Sequence, residues 1–422
     1  MTLLKDRDFL LLFAGQGISR FGDGMFTATT AWLAWSLTHD PAAVALVTVA
    51  AYAPAFATTF VAASYADRYD RRRLMILTDV LRAALVAVTV GLFAFGSMNL
   101  TLLVAATALL ALVGAPFAPA RNAIVPQIVP PALLQQANGL LQVAFRAAFF
   151  VGPLVLAPVL AVASLTAAVA LNGLTFLLSA AAVAALRVRA PVSSRATGLR
   201  SDLAAGLRAV RSQPDVLLVI VTFVLALTLT SGFLTVGLVA LVGQGGEYGL
   251  LLGVAGLAEV AGALLLSRIP IRRLALVAVL AWALLGVFRL PLGLAASPVV
   301  AAALLALTGL ASALTDIPLI ALVQQRIADG HLAKALGLWE AGIAGALAVS
   351  PFIASTTISL VGARAAFMLS GAALVALAVV AATILAATTV RQPGLPDSRT
   401  GAADRDRRGF IASPDEEGSS TR

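Results

Sequence analysis

Twelve apolar runs, each about as long as a hydrocarbon bilayer is thick, follow one another along this chain. A helix needs about 20 apolar residues to cross a membrane. Runs of that size lie near 9–37, 42–63, 74–96, 100–120, 136–162 and 165–186, and again near 214–242, 247–267, 274–295, 298–323, 335–361 and 364–389. Three connectors, Ser97-Met98-Asn99, Ala163-Ser164 and Ser297-Pro298, leave room only for tight turns. Such a chain is expected to be an all-α membrane protein with twelve transmembrane helices. Charged residues make up 12% of the sequence, against about 25% in a soluble globular domain. That excludes an ordinary soluble enzyme, a disordered protein and a nucleic-acid binder. With no cysteine, and His39 and His331 as the only histidines, disulfides, iron–sulfur clusters and cysteine-bound zinc are excluded and no metal site is expected. No catalytic constellation and no Walker glycine loop is present, so neither an enzyme nor an ATP-driven pump is expected, and no cofactor.

The basic residues set the expected orientation. Of 29 Lys and Arg, 24 fall at one end of the spans: the N-terminus, the 68–73 loop, Arg121, the 187–211 stretch, Arg268, Arg272 and Arg273, Arg326, Lys334 and the C-terminal tail. The opposite loops hold Arg364 alone. By the positive-inside rule both termini are cytoplasmic, which requires an even number of spans. The N-terminal apolar run is too long for a cleavable signal. An excess of Arg over Lys with abundant Ala points to a GC-rich bacterial genome, so the expected location is a bacterial cytoplasmic (inner) membrane. The expected organisation is a six-helix bundle over 1–186, a cytoplasmic linker over 187–213, a second bundle over 214–390 and a disordered tail over 391–422. Within the linker, Leu203, Leu207 and Val210 stand at helical spacing among arginines, which predicts an amphipathic helix on the membrane surface.

The two bundles echo each other. Arg68, Arg72, Arg73 and Leu74 recur 200 residues later as Arg268, Arg272, Arg273 and Leu274, and parallel duplication of helical units is a recognised transporter plan. The stretch Ala63-Ser-Tyr-Ala-Asp67-Arg68-Tyr-Asp70-Arg71-Arg72 resembles the loop signature G-x-x-x-D-R-x-G-R-R of the major facilitator superfamily, with Ala63 and Asp70 in place of both glycines. Gly152-Pro153 in the fifth span resembles the centre of that superfamily's antiporter motif. The phrase Gly15-Gln16, Ser19-Arg20-Phe-Gly22-Asp23, with Trp32-Leu33 after it, is similar to the branch that holds macrolide efflux pumps and the enterobactin exporter. The resemblance covers about residues 5–390. It implies two pseudo-symmetric six-helix bundles that rock about a central site, with the first, fourth, seventh and tenth helices lining the cavity. It also implies that Asp67, Arg68, Arg71 and Arg72 form a cytoplasmic gate loop, Asp67 meeting the start of the eleventh helix near Lys334.

An ionisable side chain at the bilayer centre costs about 2.5–3.5 kcal/mol on insertion scales, so each one needs a reason. They are Arg20, Asp23, Asp79, Arg82, Arg146, Glu259, Arg289, Asp316 and Glu340. Asp23 and Arg20 are three apart and share a helix face. They are either a local ion pair or a proton-carrying carboxylate with its cation, Arg146 being the other possible partner of Asp23. Asp23 is the first choice for proton coupling and Glu259, which has no in-helix partner, the second. Asp316, just before Pro318, suits a gate, a kink or a substrate contact. Asp79 and Arg82 read as a structural pair, and Glu340 as favouring a helix N-terminus. Trp32 and Trp35 read as interfacial anchors, and Phe145, Phe149 and Phe150 as helix packing ahead of an apolar cavity wall. The expected function is a secondary active exporter of a hydrophobic or amphiphilic small molecule (a drug or secondary metabolite), driven by a proton gradient. The alternatives are an importer or facilitator of a small metabolite, or a siderophore exporter. The expected partners are that substrate and membrane lipids, with no nucleic acid and a monomeric chain.

Overall fold

The computed structural model describes residues 3–390 except 69, 131–132, 188–198, 244 and 267–268, and some helical side chains, those of 58–68 among them, also lie outside the description. The first half holds α1 (Arg7–Thr38), α2 (Pro41–Arg68), α3 (Arg71–Ala94), α4 (Leu100–Gly114), α5 (Phe117–Ile128), α6 (Leu134–Val162) and α7 (Leu165–Ala184). After α8 (Leu199–Arg211), the second half holds α9 (Pro214–Thr228), α10 (Leu238–Val242), α11 (Gly245–Leu266), α12 (Leu274–Arg289), α13 (Pro298–Arg326), α14 (Asp329–Val361) and α15 (Ala363–Val390). Ten helical segments among the described residues are long and apolar enough to cross a membrane. The polar α1 and the partly described α2 complete twelve crossings.

The three tight turns form as their sequences dictate. Asn99, Ser164 and Ser297 are N-caps that accept hydrogen bonds from the backbone N–H groups of Leu102, Ala167 and Val300, which satisfies donors a helix start leaves unpaired. Two spans are less regular than the apolar runs suggest. The fourth breaks at Ala115-Pro116 into α4 and α5. The seventh breaks after α9 and resumes through a π-turn, Phe233–Gly237, into α10. The eleventh starts at Asp329, earlier than its apolar run, so Glu340 lies about three turns inside and not at the helix N-terminus.

The two halves meet chiefly along α6 with α11 and α2 with α14. Gly249 and Gly253 of α11 stand against Pro153 and Leu154 of α6, and Gly256 against Phe150, so close that a Cβ at any of them would collide. Four-residue spacing of small residues lets helix backbones approach in a membrane. Gly152 does the same within the first half, where its bare Cα faces the Phe21 carbonyl, while Gly24 faces that of Phe149. Gly152 is therefore required by the α1–α6 crossing.

The ends of the molecule differ. At the end bearing the α1–α2, α3–α4 and α13-start turns, one continuous apolar core joins both halves, including Leu33, Val44 and Leu156 with Phe233, Tyr248 and Phe367. At the end bearing α8, each half has its own core: Phe9, Met75, Ile124 and Val183 in the first, Val216, Trp282, Leu322 and Trp339 in the second. Among the described residues the apolar core is thus continuous between the halves at the far end and divided at the α8 end. Trp32 packs against the continuous core, pressed on Gly245 at the start of α11, where an added Cβ would lie 2.6 Å from Nε1. This gives Trp32 a closing contact between halves in place of the anchoring role its position suggests. The α8 helix packs on α14, Gly206 facing the Lys334 carbonyl.

Candidate functional site

Two adjoining cavities lie where α6 meets the second half, one of about 280 Å³ lined mostly by the second half and one of about 270 Å³ lined mostly by the first. Arg146, Phe150 and Glu259 line both. Helix α6 presents Arg146 from the first half toward two acids of the second. Its Nη1 lies 3.0 Å from Glu259 Oε1 on α11 and 3.0 Å from Asp316 Oδ2 on α13. Asp316 is also held by the Thr315 hydroxyl, which donates to Oδ1 at 2.8 Å. Arg146 is half exposed to the cavity while Glu259 and Asp316 are more enclosed, at 20% and 16% side-chain exposure. One cation thus bridges the halves through two carboxylates, an arrangement that can be dismantled by a proton on either acid or by a ligand that competes for either charge.

Asp23 has different company. Arg82 Nη2 of α3 donates to its Oδ1 at 2.7 Å, and Arg20 approaches Oδ2 at 3.6 Å. Arg82 also lies 3.8 Å from the fully buried Asp79 and stands over the Phe176 ring at 3.8 Å, a cation–π contact. The structure therefore pairs Arg146 with Glu259 and Asp316, not with Asp23. The Asp79–Arg82 pair widens into a cluster that includes Asp23, wholly within the first half. Sequence spacing alone missed the Asp23–Arg82 contact because it joins two helices.

The phenylalanines of α6 line the second cavity together with Arg20 and Arg121. Phe149 and Phe150 meet edge to face at 5.6 Å, and Arg121 lies 4.8 Å from the Phe145 ring. They are cavity wall and helix packing at once, since Phe145 is buried in the core of the first half and Phe150 presses on Gly256 of α11. Of the loop motif, Asp70 accepts from the Arg73 backbone N–H at 2.9 Å and caps α3, which explains the replacement of the glycine. Arg72 donates from Nε to the Val183 carbonyl at 3.1 Å and from Nη2 to that of Ala184, closing the C-terminus of α7 as cations do. Arg71 is half-buried nearby. The side chains of Asp67 and Arg68, and the meeting of Asp67 with α14, lie outside the described residues.

Two helical bundles joined by one apolar core at one end and bridged by charges between them define a membrane transporter that takes a small molecule into its centre. The chain belongs to the Major Facilitator Superfamily, whose family model matches residues 12–326 and 238–414; it is a multi-pass transporter and not an enzyme. It is 31% identical over 210 residues to the multidrug efflux pump Tap of Mycobacterium tuberculosis (strain ATCC 25618 / H37Rv), over 47% of this chain and 50% of the pump. It thus spans about half the length of the curated relatives it matches. The fold is that of solved transporters. A crystal structure of the nucleoside transporter NupG superposes with a TM-score of 0.69 at 12% identity, over 90% of this chain and 99% of that one. A POT family transporter in complex with 5-aminolevulinic acid superposes with a TM-score of 0.72 at 11% identity, over 92% of this chain and 97% of that one.

Proposed function

We propose that the chain is a proton-driven exporter of a hydrophobic or amphiphilic small molecule, resident in a bacterial cytoplasmic membrane with both termini in the cytoplasm. The observation that carries the reading is the Arg146 bridge to Glu259 and Asp316 across the halves. The concentration of basic residues at the α8 end supports a cytoplasmic location for that end, so the cavities open to the cytoplasm, where an exporter loads. Similarity to a multidrug efflux pump over half its length supports outward transport.

In this reading cargo enters from the α8 end and displaces the bridge, and the halves rock about the α6–α11 and α2–α14 contacts until the far-end core parts. A proton from outside then takes one of the two carboxylates facing Arg146. Glu259 is the better carrier, since it lines both cavities and Asp316 only one. Asp23, the first choice from sequence, is tied to Arg82 and Arg20 within one half and is assigned a structural role. The cavity-lining phenylalanines offer an apolar wall to cargo.

The test is accumulation of a fluorescent amphiphilic dye in everted vesicles. Wild-type chain is expected to concentrate the dye when the vesicle interior is acidic and to release it when a protonophore collapses the gradient. Dye movement that ignores the gradient contradicts proton coupling, and movement only from the vesicle lumen outward contradicts export.

A further inference from the structure

Arg289, at the end of α12, is 1% exposed and is among the largest fully buried side chains. An arginine inside a membrane is expensive unless it is paired or functional, yet no carboxylate of the described residues lies within ion-pair distance. Its Nη1 donates to the Thr230 carbonyl at 3.3 Å, at the break between α9 and the π-turn. Nε and Nη2 have no protein acceptor, and the neighbouring Ser231 hydroxyl has no partner either. Both residues line the 280 Å³ cavity.

Satisfying the helix break does not require a cation. Ser370 donates to the Leu229 carbonyl at 2.7 Å, and Ser350 accepts from the Gly232 N–H at 2.7 Å; neutral hydroxyls suffice there. What a guanidinium adds is charge and a planar fork of donors that fits a carboxylate, sulfonate or phosphate oxygen pair. The acids of the same cavity do not serve it, because Arg146 holds them. In the adjoining cavity Arg20 and Arg146 are paired with acids, while Arg121 has no ion-pair partner among the described residues and adds a positive charge that draws in the opposite sign.

We propose that the Arg289–Ser231 wall binds an acidic oxygen group of the cargo, so that the molecule carried is an anionic or amphoteric amphiphile. Nε and Nη2 of Arg289 and the Ser231 hydroxyl receive the acid, while Phe223, Leu227 and Trp282 cover its apolar body. The assignment rests on the exporter reading above and narrows its substrate class.

The experiment is a fluorescence-anisotropy titration of the purified full-length chain with a rhodamine free acid and its methyl ester, two dyes that differ only in the acidic group. Wild type is expected to bind the acid about tenfold more tightly than the ester, the worth of a hydrogen bond to a charged group. Arg289→Gln is expected to bring the two affinities within about twofold of each other. Arg289→Lys, which keeps charge and loses the fork, should retain part of the preference. Ser231→Ala should cut it by about two- to threefold, and this mild variant carries the test if Arg289→Gln does not fold. Equal weakening of both dyes by Arg289→Gln overturns the subsite and leaves Arg289 a fastener of the α9 break. An unchanged ratio in Arg289→Lys and Ser231→Ala overturns it too. If wild type binds the ester as tightly as the acid, the subsite fails while the exporter reading stands. If it binds neither dye, the amphiphile reading fails with it.

Discussion

At equivalent positions the two halves are built from opposite materials. In the first, Asp23 of α1 meets Arg82 of α3 at 2.7 Å. Exactly one repeat later, 200 residues on, Phe223 of α9 meets Trp282 of α12 edge to face at 5.4 Å, with Trp339 of α14 on the same phenylalanine at 5.5 Å. The helix contact is preserved while its chemistry has changed from an ion pair to an aromatic cluster. A contact that tolerates this exchange holds helices together and does not depend on charge. The other charge contact, Arg146 with Glu259 and Asp316, reaches from one half to the other. The comparison therefore sets a charge cluster within one half against a charge bridge between the two.

The largest effect expected from breaking the comparison follows removal of one partner on the charged side. Arg82→Ala leaves Asp23 and Asp79 without their cation, and stripping one member from a buried pair costs about 3–5 kcal/mol. Little folded protein should be recovered, as judged by gel filtration and thermal unfolding. The triple replacement Asp23→Leu, Asp79→Val and Arg82→Met makes the first half resemble the second, and should restore folding because apolar residues of similar volume can replace a buried ion pair or triad. If the triple variant unfolds as readily as Arg82→Ala, the packing role is wrong. On the aromatic side, Trp282→Ala opens a cavity and should cost about 3–5 kcal/mol. No charge change elsewhere should rescue it in the same melting assay.

A smaller effect is expected where the halves touch. Gly249→Ala places a methyl on the Pro153 carbonyl, and overpacking of this kind costs about 1–3 kcal/mol. The same substitution at Gly345, where an added Cβ meets nothing within 4 Å, should leave the melting temperature unchanged. The smallest is at the start of α3. Asp70 caps that helix, whereas its counterpart α12 starts at Arg273 with no side-chain cap. Asp70→Ala should cost about 1 kcal/mol and make the two starts alike. A larger loss would show that Asp70 does more than cap.

Length and apolarity were enough to read the spans, because a bilayer demands them of any helix that crosses it. The tight turns at Asn99, Ser164 and Ser297 were equally legible from the shortness of their connectors, and the capping by those residues came only with the structure. The direction in which each side chain faces was not. Helices that are apolar nearly all round carry little periodic signal of their inward face, so the rotation that brings Arg82 to Asp23, or Arg146 to Glu259, is invisible to spacing along one helix. The duplication held a usable clue: Arg82 and Trp282 occupy the same place in the repeat. The four-residue glycine spacing Gly245, Gly249 and Gly253 was another and went unused, though such spacing is a sign of close helix packing in a membrane.

The central claim is that coupling resides in the bridge between halves and not in the cluster within one. Its most direct measurement compares Asp23→Asn with Glu259→Gln in proteoliposomes, scoring for each the uptake of an amphiphilic dye with and without an imposed proton gradient. The account predicts that Glu259→Gln still exchanges dye downhill but gains nothing from the gradient, while Asp23→Asn, where it folds, still concentrates the dye. Gradient-driven accumulation that survives in Glu259→Gln and disappears in Asp23→Asn would contradict it.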